Sequence, residues 1–174
     1  MSSAIQPPDA TPRLIILVGL PGSGKSSWAR QQGFTALSSD TMRFWLADNE
    51  DDQTIHREVF ATLRYLIRRR LELRRPVTLV DATNLTRGER RTYIKLAQVH
   101  GCRAEAVFFD VPVELCKQRN RARTRVVPDE VIEAMSSRLT APEVTEGFAS
   151  VTVYSSRAAA PQPMPPPGLA ASPQ

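Results

Sequence analysis

The chain has few of the residues that build disulfide frameworks or zinc sites. Its 174 residues include only two cysteines and two histidines. The cysteines, Cys102 and Cys116, do not form a Cys-x-x-Cys spacing, so a zinc site is not expected. Disulfides persist mainly in oxidising compartments, and their scarcity here favours a reduced, cytoplasmic location.

Long apolar segments are also missing. No run approaches the ~18 apolar residues that a helix needs to cross a bilayer. Residues 1–12 lack the basic start and apolar stretch of a signal peptide. We therefore expect no association with a membrane, and the sequence indicates no obligate protein partner.

The overall composition is typical of a globular domain with its own hydrophobic core. Hydrophobic residues make up 41% of the chain and charged residues 24%. We predict one domain over residues 13–154, a flexible N-terminus over residues 1–12 and a disordered tail rich in alanine and proline over residues 155–174. The net charge of +5 suits an anionic partner, although charge alone is weak evidence.

Apolar runs alternate with segments of helical periodicity between residues 13 and 154. Five short apolar runs, the first over residues 14–18, are predicted strands, and the longest predicted helix covers residues 54–73. This alternation predicts a three-layer α/β/α fold with a five-stranded parallel sheet. Ligands bind such sheets at the carboxyl ends of the strands. The residues expected at those ends are Gly19, Asp40, Asp81 and Asp110.

Directly after the first predicted strand, the chain carries a complete phosphate-binding loop of the form G-x-x-x-x-G-K-S. Its glycines allow backbone N–H groups to curl around a phosphate, Lys25 supplies a charge for the β- and γ-phosphates, and Ser26 supplies a hydroxyl for Mg²⁺. The pattern predicts binding of a nucleoside triphosphate. The residues expected to hold the nucleotide here are Gly19, Leu20, Pro21, Gly22, Ser23, Gly24, Lys25, Ser26 and Ser27.

Asp40 and Arg43 follow the second predicted strand with a spacing of three. On a helix this spacing puts both side chains on one face. The carboxylate could accept a proton from an acceptor hydroxyl, and the guanidinium could hold a nearby phosphate. The spacing is equally compatible with Asp40 as a helix cap and Arg43 as its surface ion-pair partner.

Asp81 ends the third predicted strand and is followed by Ala82, Thr83 and Asn84. A carboxylate in this position commonly holds Mg²⁺ through water. Thr83 and Asn84 offer short hydrogen-bonding groups near the same site. The alternative is an Asx-type turn between strand and helix.

A cluster of arginines precedes the sequence Val-Val-Pro at residues 126–128. Arg119 and Arg123 are four residues apart and would share one face of a helix predicted over residues 112–123. Cations placed there could stabilise charge on a transferring phosphoryl group. For Arg121 and Arg125 we expect a merely solvated basic surface.

Together these motifs resemble the polynucleotide 5′-kinase branch of the P-loop phosphotransferases, the AAA_33-type P-loop kinases. The resemblance covers residues 14–154 and includes the phosphate loop, Ser-Ser-Asp-Thr-Met-Arg (38–43), Val-Asp-Ala-Thr-Asn (80–84), Arg-Asn-Arg-Ala-Arg (119–123) and Glu-Gly-Phe (146–148). It implies that Asp40 is the general base for a 5′-hydroxyl and that Arg43 grips the neighbouring phosphate of the acceptor. It also implies that Arg119 and Arg123 are lid arginines on the donor phosphates.

From this resemblance we expect an ATP- and Mg²⁺-dependent kinase that phosphorylates the 5′-OH end of a nucleic acid, with Asp40, Lys25 and Arg123 as its catalytic residues. The chain carries no N-K-x-D motif, which a GTPase would need, and no D-x-D-x-[TV] phosphatase motif. Two alternatives stay open. One is a kinase of a small molecule such as a sugar, nucleoside, antibiotic or nucleotide-sugar; the other is a nucleotide-dependent regulatory module.

Overall fold

A computed structural model of the protein describes residues 11–155. The predicted flexible N-terminus and the predicted tail lie outside the described residues, apart from Thr11, Pro12 and Ser155. Within the described part, five strands alternate with helices in the predicted way. The strands are β1 (Arg13–Val18), β2 (Ala36–Ser38), β3 (Val77–Asp81), β4 (Arg103–Asp110) and β5 (Ser150–Ser155).

The five strands form one parallel sheet in the order β2-β3-β1-β4-β5, as predicted. Its central strand β1 is completely buried from Leu14 to Val18, which explains its unbroken apolar sequence. The chain leaves β1 for β2 on one side and later reaches β4 on the other side. The order therefore reverses at β1, where open α/β sheets bind their ligands.

Helices cover both faces of the sheet. The helices are α1 (Lys25–Gln31), α2 (Ser39–Ala47), α3 (His56–Glu72), α4 (Arg87–Val99), α5 (Val113–Arg121) and α6 (Asp129–Arg138). One apolar cluster joins the sheet to α2, α3 and α4, and it contains Met42, Leu63 and Ile94. A second cluster lies on the opposite face, where Trp28 of α1 packs edge-on against Phe109 of β4.

Two helix ends differ from the sequence prediction for identifiable reasons. The helix predicted from residue 54 begins at His56, because the Asp52 carboxylate accepts hydrogen bonds from the N–H and hydroxyl of Thr54 and holds it in a turn. The helix predicted to reach Arg123 ends at Arg121. The buried side chain of Asn120 bonds both backbone groups of Val127, which turns the chain back on itself.

Helices α5 and α6 and the intervening loop, residues 122–128, form a separate layer above the phosphate loop, which we call the lid. Its apolar contacts join Cys116 of α5 and Ile132 of α6 to Leu20 of the phosphate loop. The lid therefore rests on the site that its arginines are expected to serve. None of the helices within residues 11–155 has the length and apolar character that a membrane crossing requires.

Candidate active site

The phosphate loop connects the end of β1 to the start of α1. Gly22 and Gly24 have φ values of 79° and 103°, in the left-handed region that side chains with a Cβ rarely adopt. The N–H of Gly19 donates to the carbonyl oxygen of Thr83 over 3.1 Å, which ties the loop to the end of β3. Helix α1 begins at Lys25, so its positive end faces the loop.

An open cavity of about 360 Å³ lies over this loop. Its lining combines four cationic side chains with two serines and two glycines, and it is made by Gly22, Gly24, Lys25, Ser26, Ser27, Arg30, Arg119 and Arg123. Exposed backbone N–H groups, hydroxyls and positive charge are the chemistry that a polyphosphate needs. The residues thus fit a nucleoside triphosphate, and we call this space the donor cavity.

The other residues of the loop support it from below. Leu20 is buried in the apolar cluster beneath the lid, and Ser23 is 3% exposed. Pro21 borders the neighbouring cavity rather than the donor cavity. The side chains of Leu20 and Ser23 therefore do not line the donor cavity, and only their backbone groups could contact a nucleotide.

Lys25 is buried between the two cavities. Its ammonium group donates to the carbonyl oxygens of Gly19 and Leu20 over 2.8 and 2.7 Å. The pKa of Lys25 is lowered to about 8, mainly by burial and to a smaller extent by nearby Arg123, and the opposing effects of Asp81, Cys116 and Asp40 offset only part of this shift. The cost of burying this cation makes an anionic ligand a favourable partner.

A second cavity of about 150 Å³ adjoins the first, and Lys25, Ser26 and Arg123 line both of them. We call it the acceptor cavity. The sequence-predicted residues in its lining are Pro21, Lys25, Ser26, Asp40, Arg43, Asp81, Thr83 and Arg123. The tertiary structure therefore brings the predicted base, the phosphate grip and the metal ligands to one place.

Asp40 and Arg43 lie one turn apart on the same side of α2, as their spacing predicted. The two side chains are joined by a 3.3 Å contact between Arg43 Nη1 and Asp40 Oδ1. The helix cap is Ser38, whose hydroxyl accepts from the N–H groups of Asp40 and Thr41. The alternative that Asp40 caps the helix is therefore wrong.

Arg43 is 4% exposed and is not the surface ion-pair partner that the same alternative required. Its single hydrogen bond to a described residue is the 3.3 Å contact with Asp40, and its Nε has no partner there. A guanidinium has five N–H donors, and leaving a buried donor unpaired is costly. This shortage of partners in the lining of the cavity favours an anionic group beside Arg43.

Asp81 is 8% exposed and lies beside Ser38 across the β2–β3 register. It shares the acceptor cavity with Ser26. A hydroxyl and one carboxylate, completed by phosphate oxygens and water, are a common ligand set for Mg²⁺. The two predicted metal ligands thus fit that ion.

Thr83 and Asn84 point to different places. Thr83 lines the acceptor cavity, whereas Asn84 is 3% exposed and does not. Asn84 Nδ2 donates to the carbonyl oxygens of Leu17 and Ala82, and its φ of 48° is one that asparagine tolerates. Its amide therefore holds the ends of β1 and β3 together, in contrast to the acceptor contact expected from the sequence.

The structure places the lid arginines at the site, but not on one helical face as the sequence predicted. Arg119 and Arg123 both line the donor cavity, but Arg123 lies past the end of α5, so a shared helical face does not align them. Arg121 is exposed and pairs with Asp129 on the surface, as expected. Arg125 is only 20% exposed and contacts Asp40, so the expectation of a solvated side chain is wrong.

Several lining residues gave no signal in the sequence. Arg30 joins the donor cavity from the last turn of α1, and Gln53, His56 and Phe60 join the acceptor cavity from the start of α3 and the preceding loop. The rings of His56 and Phe60 are 4.6 Å apart. No motif surrounds these positions, and only the packing of α3 beside α2 brings them to the site.

Comparison with known proteins agrees with this fold. The model of the AAA_33 family, described as an AAA domain, matches residues 14–142. The chain is 26% identical over 136 residues to an L-seryl-tRNA(Sec) kinase from Methanococcus maripaludis, covering 74% of this chain and 53% of that protein. The chain therefore spans about half the length of this curated relative.

Two solved structures are similar in fold. A chain of the Pnkp1/Rnl/Hen1 RNA repair complex superposes with a TM-score of 0.62 at 23% identity, covering 79% of this chain and 47% of that one. A gluconokinase from Sinorhizobium meliloti superposes with a TM-score of 0.55 at 20% identity, covering 85% of each chain. With the family match over most of its described length, the chain belongs to the AAA_33 family and is a P-loop kinase by fold.

Proposed function

We propose that this P-loop kinase transfers the γ-phosphoryl group of ATP to the 5′-hydroxyl end of a nucleic acid. The observation that carries the proposal is the acceptor cavity, where a carboxylate and a buried, underpaired guanidinium lie next to Lys25. A regulatory module would need the donor cavity but not a base and an anion grip beside it. The similarity to a tRNA kinase and to a chain of an RNA repair complex supports a nucleic-acid acceptor.

On the donor side, the loop glycines, Lys25, Arg119 and Arg123 would hold the phosphates, and Ser26 and Asp81 would hold Mg²⁺. The bound ion would neutralise charge on the β- and γ-phosphates. Lys25 and Arg123 border both cavities, so their positive charge lies where the phosphoryl group would pass from donor to acceptor. Charge placed in advance at that point lowers the barrier to transfer.

On the acceptor side, Asp40 would orient the 5′-hydroxyl and accept its proton as the oxygen bonds to the γ-phosphorus. The bond from that phosphorus to the β,γ-bridging oxygen breaks at the same time, and ADP leaves. Arg43 would bind the phosphate that follows the terminal nucleoside. This role uses the donors of Arg43 that have no partner among the described residues.

One feature of the structure favours the small-molecule alternative. Four acidic residues lie between α2 and Gln53, which lines the acceptor cavity, namely Asp48, Glu50, Asp51 and Asp52. Their charge would repel a polyanion that left the cavity in this direction. A short acceptor of one or two nucleotides, or an uncharged small molecule, would not meet them.

An acceptor panel tests the proposal. Wild-type protein is incubated with γ-labelled ATP and, separately, with a 5′-OH oligonucleotide, a nucleoside 3′-phosphate, the plain nucleoside, and gluconate. We expect efficient labelling of the oligonucleotide and the nucleoside 3′-phosphate and poor labelling of the nucleoside. Equal use of the nucleoside and its 3′-phosphate, or labelling of gluconate alone, would reject the nucleic-acid acceptor.

Asp40→Asn tests the catalytic role in the same assay. The amide keeps the size of the side chain but cannot take up the proton, and loss of a general base lowers rates by about 10²–10⁴-fold. We expect this fall in kcat with ATP affinity retained. Normal transfer by Asp40→Asn would remove Asp40 from the mechanism, whatever the acceptor is.

A further inference from the structure

Arg125 reaches from the lid loop across the acceptor cavity to two carboxylates. Its Nη1 donates to Asp40 Oδ1 over 2.6 Å, and its Nε donates to Asp51 Oδ1 over 2.7 Å. The side chain is 20% exposed, so the contact with Asp40 is partly shielded from water. Arg125 is 85 residues from Asp40 in sequence, which makes this a true tertiary contact.

Asp40 has little else to hold its carboxylate in one orientation. Its side chain is 37% exposed, and its other partner, Arg43, is on the same helix at 3.3 Å. Both arginine bonds end on Oδ1, and no side chain within residues 11–155 donates to Oδ2. Oδ2 is thus the oxygen left available for a hydroxyl proton. The shorter of the two bonds to Oδ1 comes from Arg125 of the lid.

We propose that Arg125 is a positioning residue that fixes the Asp40 carboxylate when the lid is closed. The proposal rests on the proposed function of Asp40 as the base. Arg125 does not need to touch either substrate for this role. Its second bond, to Asp51, fixes the guanidinium from the far side and joins the lid to the loop between α2 and α3.

Arg125 belongs to the same part of the lid as the arginines that line the donor cavity. Arg119 and Arg123 line the donor cavity, and Arg125 lies two residues later in the same segment. The Asn120–Val127 pairing closes the loop that carries Arg123 and Arg125, and Arg119 lies in the last turn of α5 directly before it. A movement of this segment away from the donor cavity would therefore also separate Arg125 from Asp40, so the proposal couples the alignment of the base to the position of the lid.

Kinetic measurement of Arg125→Gln tests this role. Glutamine keeps a polar side chain, but it is shorter, carries no charge and has no fork to bridge two carboxylates, so Asp40 should lose its alignment. Misplacement of a catalytic group by about 1 Å can lower the rate by about 10²-fold. We expect a fall of that order in kcat for phosphorylation of a 5′-OH oligonucleotide, with the KM for ATP unchanged.

Two further variants sharpen the result. Arg125→Lys keeps the charge but cannot make both bonds at once, so it should restore kcat only in part. Arg121→Gln is the matched control, because Arg121 is on the same segment but pairs with Asp129 on the surface, and its kcat should equal that of wild type. A higher KM for the oligonucleotide with unchanged kcat in Arg125→Gln would assign Arg125 to acceptor binding and overturn the proposal.

Hydrogen exchange gives a readout that does not depend on the acceptor. Without the Arg125 bonds, amide exchange across residues 39–55 should be faster in Arg125→Gln than in wild type and Arg121→Gln. Unchanged exchange in this segment would overturn the anchoring. If wild type phosphorylated no oligonucleotide, the proposed function would fail, and the exchange result alone would decide whether Arg125 holds Asp40 and its loop.

Discussion

Gly22 packs closely against α5 of the lid, and replacing it with alanine should lower stability and weaken nucleotide binding. The substitution should lower the free energy of unfolding for two separate reasons. The first is conformational, because φ at Gly22 is 79° and a left-handed backbone costs a residue with a Cβ about 1–2 kcal/mol. The second is steric, because the new Cβ would overlap the carbonyl oxygen of Cys116 in α5 and lie 3.2 Å from the N–H nitrogen of Asn120.

The steric cost can be separated by a matched control. Gly33 also has a left-handed φ, of 69°, but a Cβ there would have no neighbour within 4 Å. Gly33→Ala should therefore show the conformational cost alone, about 1–2 kcal/mol. Overpacking against backbone adds about 1–3 kcal/mol, so the free energy of unfolding should fall by about 2–5 kcal/mol in Gly22→Ala.

Thermal unfolding and ATP titration measure the two consequences. A loss of 1 kcal/mol lowers Tm by about 2–4 °C in a domain of 150–250 residues, so Gly22→Ala should melt roughly 2–12 °C below Gly33→Ala. Relief of the overlap would displace α5 and with it Arg119, so ATP binding should weaken in Gly22→Ala and stay normal in Gly33→Ala. Equal melting of the two variants would show that the loop and α5 are not packed as described.

Two predictions concern the cations of the site. The pKa of Lys25 is lowered to about 8, and bound phosphates would favour its charged form, so ATP binding above pH 8 requires uptake of a proton. The dissociation constant for ATP, measured by calorimetric titration, should therefore rise with pH above 8, by up to about tenfold per pH unit. Lys25→Met should bind ATP weakly and should not show this rise. A dissociation constant of the wild type that did not change with pH would contradict the lowered pKa. Arg123→Ala should lower kcat more than it weakens ATP binding, because a cation near the transferring group acts mainly in the transition state. Arg121→Ala should change neither kcat nor ATP binding. If kcat were unchanged in both variants, Arg121 and Arg123 would both belong to the solvated surface.

Much of the fold and the whole phosphate loop follow from local sequence. The unbroken apolar run of β1, the positive-φ glycines and the start of α1 are consecutive in the chain, so spacing alone was enough to predict them. The capping box at the start of α4 is local in the same sense, because it needs only Thr86 and a glutamate three residues later. Parallel pairing then requires the carboxyl ends of the strands to lie at one edge, which is why Asp40 and Asp81 were expected together.

The roles of single side chains at chain reversals were decided only by the tertiary structure. Helical spacing predicted that Arg123 shares a face with Arg119, but the Asn120–Val127 pairing ends the helix first. Asn84 was expected in the acceptor site, but it bonds a carbonyl of β1, 67 residues away. Periodicity carries no information on such contacts, because they depend on where distant segments meet.

Arg125 shows the difference most clearly. In the sequence it is one of several arginines in a basic segment, and we expected a solvated surface for it and for Arg121. Arg121 meets that expectation, whereas Arg125 is drawn inward by Asp40 and Asp51, which come from α2 and the following loop. The sequence by itself determined the phosphate loop, because its residues are consecutive in the chain. It also determined the parallel sheet, because alternating apolar strands and helices leave few other ways to pack. Which arginine faces the candidate base was decided only by folding, because that contact joins residues 85 positions apart.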